Sequence, residues 1–125
     1  MNGSNLLVDT NILIYFLQND LEIIEMIRDK NLTVSFVSEL ELLSLSDLTE
    51  EDESVIKGLL NNCTIWDLND EIKQKTIQFR KNSKLRLPDA IIAATASYLQ
   101  MPLLTADKGF RSIDVIDVII YESQP

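Results

Sequence analysis

Short apolar runs alternate with helical patterns along the whole chain of 125 residues, and this alternation limits the fold most. The runs that read as strands are 5–8, 32–35, 63–66, 102–105 and part of 115–121. The segments with helical spacing or a helix cap are 12–17, 20–28, 37–45, 50–60, 70–81 and 88–99. Strands that alternate with helices imply right-handed crossovers and a parallel sheet covered on both faces. We therefore predict one α/β domain over residues 1–125, a three-layer α/β/α sandwich whose parallel central sheet has about five strands.

The composition limits the chemistry. The chain has no histidine, which excludes Ser-His-Asp and Cys-His catalysis and imidazole-bound zinc. With 20 acidic and 11 basic residues, carboxylates are the most abundant ionisable groups available for chemistry. The single cysteine, Cys63, is predicted to be a buried small hydrophobe in the third strand. Because no apolar run approaches the roughly 18 residues of a membrane span and no signal-like segment opens the chain, we expect a cytoplasmic protein without membrane contact.

Asp89 stands alone as a charge on an otherwise apolar helix. Pro88 suits the first helical position because its φ is fixed and its missing N–H is no loss there. Residues 89–99 contain no Lys, Arg or Glu, and a helix that is apolar all round is a buried helix. Asp89 either interacts with the helix dipole or belongs to a cluster of acids. The second reading requires other acids at the same place.

Two further acids directly follow apolar strands. Asp9 comes after 5–8 and Asp107 after 102–105, although each also suits a turn or a helix cap. Ligands of parallel sheets bind outside the carboxyl ends of the strands, so we expect these acids to face one crevice with Asp89. Neighbouring carboxylates repel each other unless a cation neutralises them. Oxygen ligands without imidazole or thiolate select Mg²⁺ or Mn²⁺, and such an ion activates water and clamps a phosphate. The residues therefore predict a metal-dependent phosphodiesterase.

Four blocks of sequence carry a family resemblance. They are VDTNIL at 8–13, VS at 34–35 with ELL at 41–43, LPDAIIAATA at 87–96 and LLTADK at 103–108. In this order, and over nearly the whole chain, they resemble the PIN-domain family, most closely the VapC-type toxins of bacterial toxin–antitoxin pairs. The resemblance implies an α/β/α sandwich, a Mg²⁺ or Mn²⁺ site of three or four acids, endoribonuclease activity on RNA, an antitoxin partner and a homodimer.

The resemblance also assigns roles to residues. The acids that it matches, expected to be catalytic metal ligands, are Asp9, Glu41 and Asp89, with Asp107 as an acid after the fourth strand. Thr10 and Asn11 match the polar pair beside the first acid and are expected to orient it or a metal-bound water. Thr105, in the fourth block, is expected to support the site.

The sequence leaves two features of the metal site undecided. Glu39 and Glu41 lie about 200° apart on a helix, so only one of them faces the crevice. Leucines bury more than one face of this helix, and only the family's spacing from Ser35 favours Glu41. Similar toxins often carry another acid where this chain has Gly109. We therefore expect one well-held metal ion and a second that is weak or dependent on substrate.

The cations cluster just before Asp89. Six of the eleven lie within residues 73–86, which hold no acid and are called the basic run below. A net charge of −9 argues against loose binding of nucleic acid through charged patches. The basic run is thus either a solvated helix face or an edge that contacts phosphate. The residues that we predict to contact RNA are Lys81, Lys84, Arg86 and Lys108.

Other classes of protein compete with this interpretation. The haloacid-dehalogenase pattern needs a second Asp two residues after the first, where this chain has Asn11, and a receiver domain needs an acid pair before its phosphoacceptor. Both fit poorly. The stronger alternative is a PIN-like fold that binds RNA or protein without cutting it. Retention of all four acids argues against that alternative, whereas the absence of the usual acid at Gly109 is compatible with it.

Overall fold

A parallel sheet runs through the molecule. The computed structural model describes residues 4–123. Its strands are β1 (Asn5–Val8), β2 (Asn31–Ser35), β3 (Thr64–Trp66), β4 (Leu103–Thr105) and β5 (Val118–Ile120). They lie in the order β3-β2-β1-β4-β5, and every neighbouring pair is parallel. β1 is therefore the central strand.

Helices alternate with these strands along much of the chain. They are α1 (Thr10–Leu17), α2 (Leu21–Ile27), α3 (Phe36–Leu43), α4 (Glu50–Asn61), α5 (Asp70–Asn82) and α6 (Leu87–Leu99), and a short 3-10 helix (Lys108–Ser112) follows β4. Polar side chains fix several helix starts by accepting N–H groups that have no partner within the helix. Thr49 does so at α4, Asn69 at α5 and Asp20 at α2. Within residues 4–123, no helix combines the length and the apolar character needed to cross a bilayer.

Two apolar cores pack on opposite faces of the sheet. Successive side chains of a strand point to opposite faces, and in β1 Leu7 joins one core while Leu6 and Val8 join the other. Helices α5 and α6 cover the first core, and α1, α2 and α4 cover the second. The predicted three-layer α/β/α sandwich with a parallel five-stranded sheet is confirmed.

Two details differ from the prediction. Pro88 occupies the second helical position, because α6 begins at Leu87 behind Arg86, whose extended backbone forms the N-cap. Cys63 lies before β3 and is only half-buried. Its thiol is 3.5 Å from the carbonyl oxygen of Leu59, so it belongs to the turn that leaves α4.

The strand order determines where a ligand crevice forms. From β1 the chain proceeds to β2 and β3 on one side, and β4 and β5 lie on the other. The order therefore reverses between β1 and β4, and in open parallel sheets ligands bind at the carboxyl ends of the strands at such a point. Asp9 directly follows β1, and Asp107 comes two residues after the end of β4. Asp89 lies in the first turn of α6, whose residues 92–96 are buried.

Candidate metal centre

Asp9 is the most buried of the predicted acids. It caps helix α1 at the end of β1, and only 5% of its surface is exposed. Its Oδ1 accepts a hydrogen bond from the backbone N–H of Thr10 at 2.8 Å. Its Oδ2 accepts a hydrogen bond from the hydroxyl of Thr105 at 2.6 Å. These two bonds hold the carboxylate in a fixed orientation at the junction of β1 and β4.

Burial raises the pKa of Asp9 to about 6. Loss of solvation is the main cause, and the hydrogen bonds from Thr105 and Thr10 oppose it. The negative charges of Asp89 and Glu41 raise the pKa of Asp9 further. A cation bound among these acids would act in the opposite direction and favour the ionised carboxylate.

Thr105 connects Asp9 to Asp107. It is fully buried, and besides donating to Asp9 its hydroxyl accepts a hydrogen bond from the backbone N–H of Asp107 at 3.0 Å. The carboxylate of Asp107 turns towards Gly109 and accepts its N–H at 2.8 Å, which caps the 3-10 helix. A Cβ at Gly109 would lie 3.0 Å from Oδ1 of Asp107, tighter than an ordinary contact. The missing side chain at position 109 therefore leaves room for this cap.

Glu41 reaches the crevice from helix α3. Its Oε1 is hydrogen-bonded to the hydroxyl of Thr10 at 2.5 Å, and the same hydroxyl is bonded to Oγ of Ser38 at 2.8 Å. Ser38 is fully buried and lies about one helical turn before Glu41. The hydroxyl of Thr10 is therefore held between the side chains of Ser38 and Glu41. Glu39 lies in the first turn of α3 instead. This geometry favours Glu41 over Glu39 as the acid on the crevice side.

Asp89 enters from the start of helix α6. Its side chain is 15% exposed, and its Oδ2 lies 3.7 Å from Nε of Arg86. Burial raises the pKa of Asp89, the positive charge of Arg86 lowers it, and the negative charges of Asp107 and Glu41 raise it. Asp89 therefore interacts with acids that come from β4 and from α3.

Electrostatic interactions join the four predicted acids into one group. Asp9 interacts with Asp89 and Glu41, and Asp89 interacts with Asp107 as well. We call these four residues the acidic cluster. The ends of β1 and β4, helix α3 and the start of α6 bring them together, although they are far apart in sequence.

Four of the other predicted residues either have partners outside the acidic cluster or are exposed. Asn11 accepts the backbone N–H of Ala106 at 3.2 Å through Oδ1, so its side chain ties α1 to the end of β4. Lys108 pairs with Glu122 at 2.9 Å. Lys81 and Lys84 are exposed near the start of α6.

Two residues that support the site were not predicted from the sequence. Ser38 was overlooked, although its position three residues before Glu41 places both on one helix face. Arg80 was treated only as part of the basic run, but its Nη1 donates to the carbonyl oxygen of Leu85 at 3.0 Å and so fixes the loop before α6. No sequence signal indicates that second contact, because it depends on the path of the loop.

The acidic cluster fits a hydrated hard cation better than a closed metal cage. Within residues 4–123, no three acidic or thiol side chains converge closely enough to hold one ion by themselves. Mg²⁺ is usually bound through only one or two carboxylates and keeps several of its waters. The donors here are carboxylate and hydroxyl oxygens, which suit Mg²⁺ and Mn²⁺. Lost solvation and, to a smaller degree, repulsion from Asp89 and Glu41 raise the pKa of Asp9, and such an ion would offset both.

Comparison with known families identifies the fold. A family profile described as the PIN domain matches residues 6–116, which is most of the chain. The chain belongs to the PIN-domain family. A search of curated proteins gives no match to its sequence.

Solved structures resemble this PIN domain over almost its full length. A chain of a toxin–antitoxin complex from Klebsiella pneumoniae is 28% identical with a TM-score of 0.82, and the match covers 94% of this chain and 99% of that one. A chain of VapBC-1 from nontypeable Haemophilus influenzae is 25% identical with a TM-score of 0.81, covering 93% and 97%. DNA-bound VapBC from Salmonella typhimurium, at 20% identity and a TM-score of 0.79 over 93% and 97%, shows the shared fold alone. The predicted resemblance to VapC-type PIN-domain proteins is therefore confirmed.

Proposed function

We propose that this PIN domain is a Mg²⁺- or Mn²⁺-dependent endoribonuclease and the toxin of a toxin–antitoxin pair. The observation that carries the proposal is Asp9. It is a buried carboxylate at the point where the strand order reverses, fixed by two hydrogen bonds and coupled by charge to Glu41 and Asp89. Burial of the ionised carboxylate costs free energy that a cap or turn residue at the surface would not lose. Binding of a cation by Asp9 would account for a carboxylate at this buried position.

The residues of the acidic cluster divide the work by their positions. Asp9 and Asp89, the two more buried acids, would hold the ion, with Glu41 and Asp107 at its more exposed side. Thr105 orients Asp9, and Thr10 orients Glu41. When bound, a hard divalent ion supplies a water of lowered pKa and stabilises negative charge on phosphate oxygens. Since the chain has no histidine, carboxylates are left to accept a proton near neutral pH.

The proposed substrate and partners follow from separate observations. Exposed Lys81, Lys84 and Arg86 lie just before Asp89 in the chain and would attract the RNA backbone although the net charge of the chain is −9. Because structures of similar fold are toxin–antitoxin and VapBC complexes, we propose an antitoxin as the protein partner. The antitoxin is tested by copurification with the product of an adjacent small gene. A homodimer is proposed as well, and light scattering of the purified chain tests it.

Cleavage of RNA tests the proposed activity. Purified protein is incubated with structured RNAs in Mn²⁺, in Mg²⁺ and in EDTA, alongside the Asp9→Asn variant. We expect cleavage only with a divalent ion and none by the variant, whose circular dichroism should match that of the wild type. Cleavage in EDTA, or full activity of Asp9→Asn, would overturn the mechanism. Tight binding of RNA with no cleavage in any ion would favour the non-catalytic alternative.

A further inference from the structure

One cation lies against the acidic cluster. Among the ion pairs of residues 4–123, the pair between Arg86 and Asp89 is the only one that involves a member of the cluster. Nε of Arg86 is 3.7 Å from Oδ2 of Asp89, beyond the roughly 3.2 Å of a good hydrogen bond. The side chain of Arg86 is 83% exposed. This contact is therefore loose, and the guanidinium is free to leave it.

The main chain of Arg86 is fixed, in contrast to its side chain. Arg86 is the N-cap of α6, and its carbonyl oxygen accepts the N–H of Ala90 at 2.9 Å. Ala90 is completely buried in the core beneath the sheet. The guanidinium thus pivots about an anchored point directly before α6, three residues from Asp89 in the chain.

The chemistry of arginine suits a second partner at this place. A guanidinium presents five N–H donors in a planar fork that matches phosphate oxygens in pairs. The contact with Asp89 is made through Nε, which leaves both terminal NH₂ groups for another acceptor. A metal ion and a guanidinium that approach the same carboxylate also repel each other.

We propose that Arg86 and the metal ion compete for Asp89, and that Arg86 turns to a phosphate of the RNA when the ion displaces it. The inference rests on the proposed function and adds one feature to it: before the ion binds, Arg86 occupies the position beside Asp89. Arg86 lies beside Asp89 in the metal-free protein and contributes a phosphate contact once metal and substrate are present.

The proposal predicts that replacement of Arg86 strengthens the binding of metal and weakens the binding of RNA. Titration calorimetry with Mn²⁺, without RNA, should show Arg86→Gln binding the ion roughly two- to fivefold more tightly than the wild type, the range expected for an exposed ion pair. The KM for RNA should rise in the same variant, with a smaller change in kcat. Arg86→Lys should keep Mn²⁺ affinity near the wild-type value but not restore KM, since an ammonium lacks the planar fork.

A matched control removes the same charge nearby. Lys84 is also exposed and lies two residues before Arg86, so Lys84→Gln should leave Mn²⁺ affinity unchanged. Thermal unfolding of each variant reports whether the fold is retained. Absence of Mn²⁺ binding by the wild type would contradict the proposed function itself. Mn²⁺ affinity that is equal or weaker in Arg86→Gln, with the wild type binding normally, would overturn this inference alone.

Discussion

At the scale of single residues, the fold opposes the charge on Asp9. Burial raises the pKa of this carboxyl from 3.8 to about 6. Between these two values the folded chain holds more protons than the unfolded chain, so the free energy of unfolding falls as the pH rises through this window. A difference of about two pKa units corresponds to about 3 kcal/mol. The pKa of Asp89 is raised as well, so its ionisation also lowers the free energy of unfolding as the pH rises.

This linkage predicts a pH-dependent difference between the wild type and Asp9→Asn. The stability contributed by protonated Asp9 is present below pH 4 and is lost as the pH rises through about 6. Urea unfolding at pH 4 to 8 should therefore show Asp9→Asn gaining stability relative to the wild type as the pH rises, by up to about 3 kcal/mol. Addition of Mn²⁺ above pH 6 should stabilise the wild type and not the variant. A stability difference that is the same at every pH would contradict the assignment.

Thr105 is one of two residues whose hydrogen bonds favour the ionised form of Asp9. Its hydroxyl donates to Asp9 at 2.6 Å and lowers the pKa of that carboxyl. Thr105→Val keeps the shape but removes the donor, and should cost about 1–3 kcal/mol of stability. It should also shift the acid limb of the pH–rate profile to higher pH. Thr105→Ser retains the hydroxyl and should restore both properties. A valine variant with a wild-type profile would show that this hydrogen bond is not needed.

At the scale of elements, helix α3 shows where prediction from sequence stops. Asp9 and Asp107 were predicted to converge because the ends of parallel strands meet at one edge, and the structure couples both to Asp89. The face of α3 was not predictable, because leucines occur on more than one side of it. The contact between Thr10 and Glu41 decides the face, and it joins residues 31 positions apart. Side-chain bonds across such separations leave no periodic pattern in a sequence.

The same helix offers a pair of variants that differ only in position. Glu41→Gln should lower RNA cleavage by roughly a hundredfold or more, as expected for loss of a charge at the reacting centre. Glu39→Gln removes the same charge from the first turn of α3 and should retain most of the activity. Cleavage rates at saturating Mn²⁺ decide between them. A larger loss in Glu39→Gln would reverse the assignment of the helix face.

At the scale of the whole molecule, charge is distributed unevenly. The chain carries −9 overall, yet the basic run of residues 73–86 holds more than half of its cations. The run can be read directly from the sequence, but the contacts of its residues were not predicted. Arg80 supports the loop before α6, and Arg86 pairs with Asp89. The first contact depends on a turn and the second on a rotamer, and neither is fixed by charge spacing.

Binding of RNA should depend on salt through this run. Replacement of Lys81, Lys84 and Arg86 by glutamine should reduce the slope of log affinity against log salt by about 2, at roughly 0.7 for each phosphate that is no longer neutralised. A control triple variant of exposed Arg28, Lys30 and Lys57 removes the same charge outside the run. Filter binding at several salt concentrations measures both slopes. Equal changes in the two triple variants would mean that only net charge matters.

The central claim is that the acidic cluster holds the ion on which cleavage depends. Mn²⁺ is titrated into the wild type and into Asp9→Asn, and binding and RNA cleavage are followed in the same samples. We expect half-maximal cleavage to coincide with half-maximal binding in the wild type, and both to disappear in the folded variant. Cleavage that persists in Asp9→Asn, or that saturates at Mn²⁺ concentrations unrelated to binding, would contradict it.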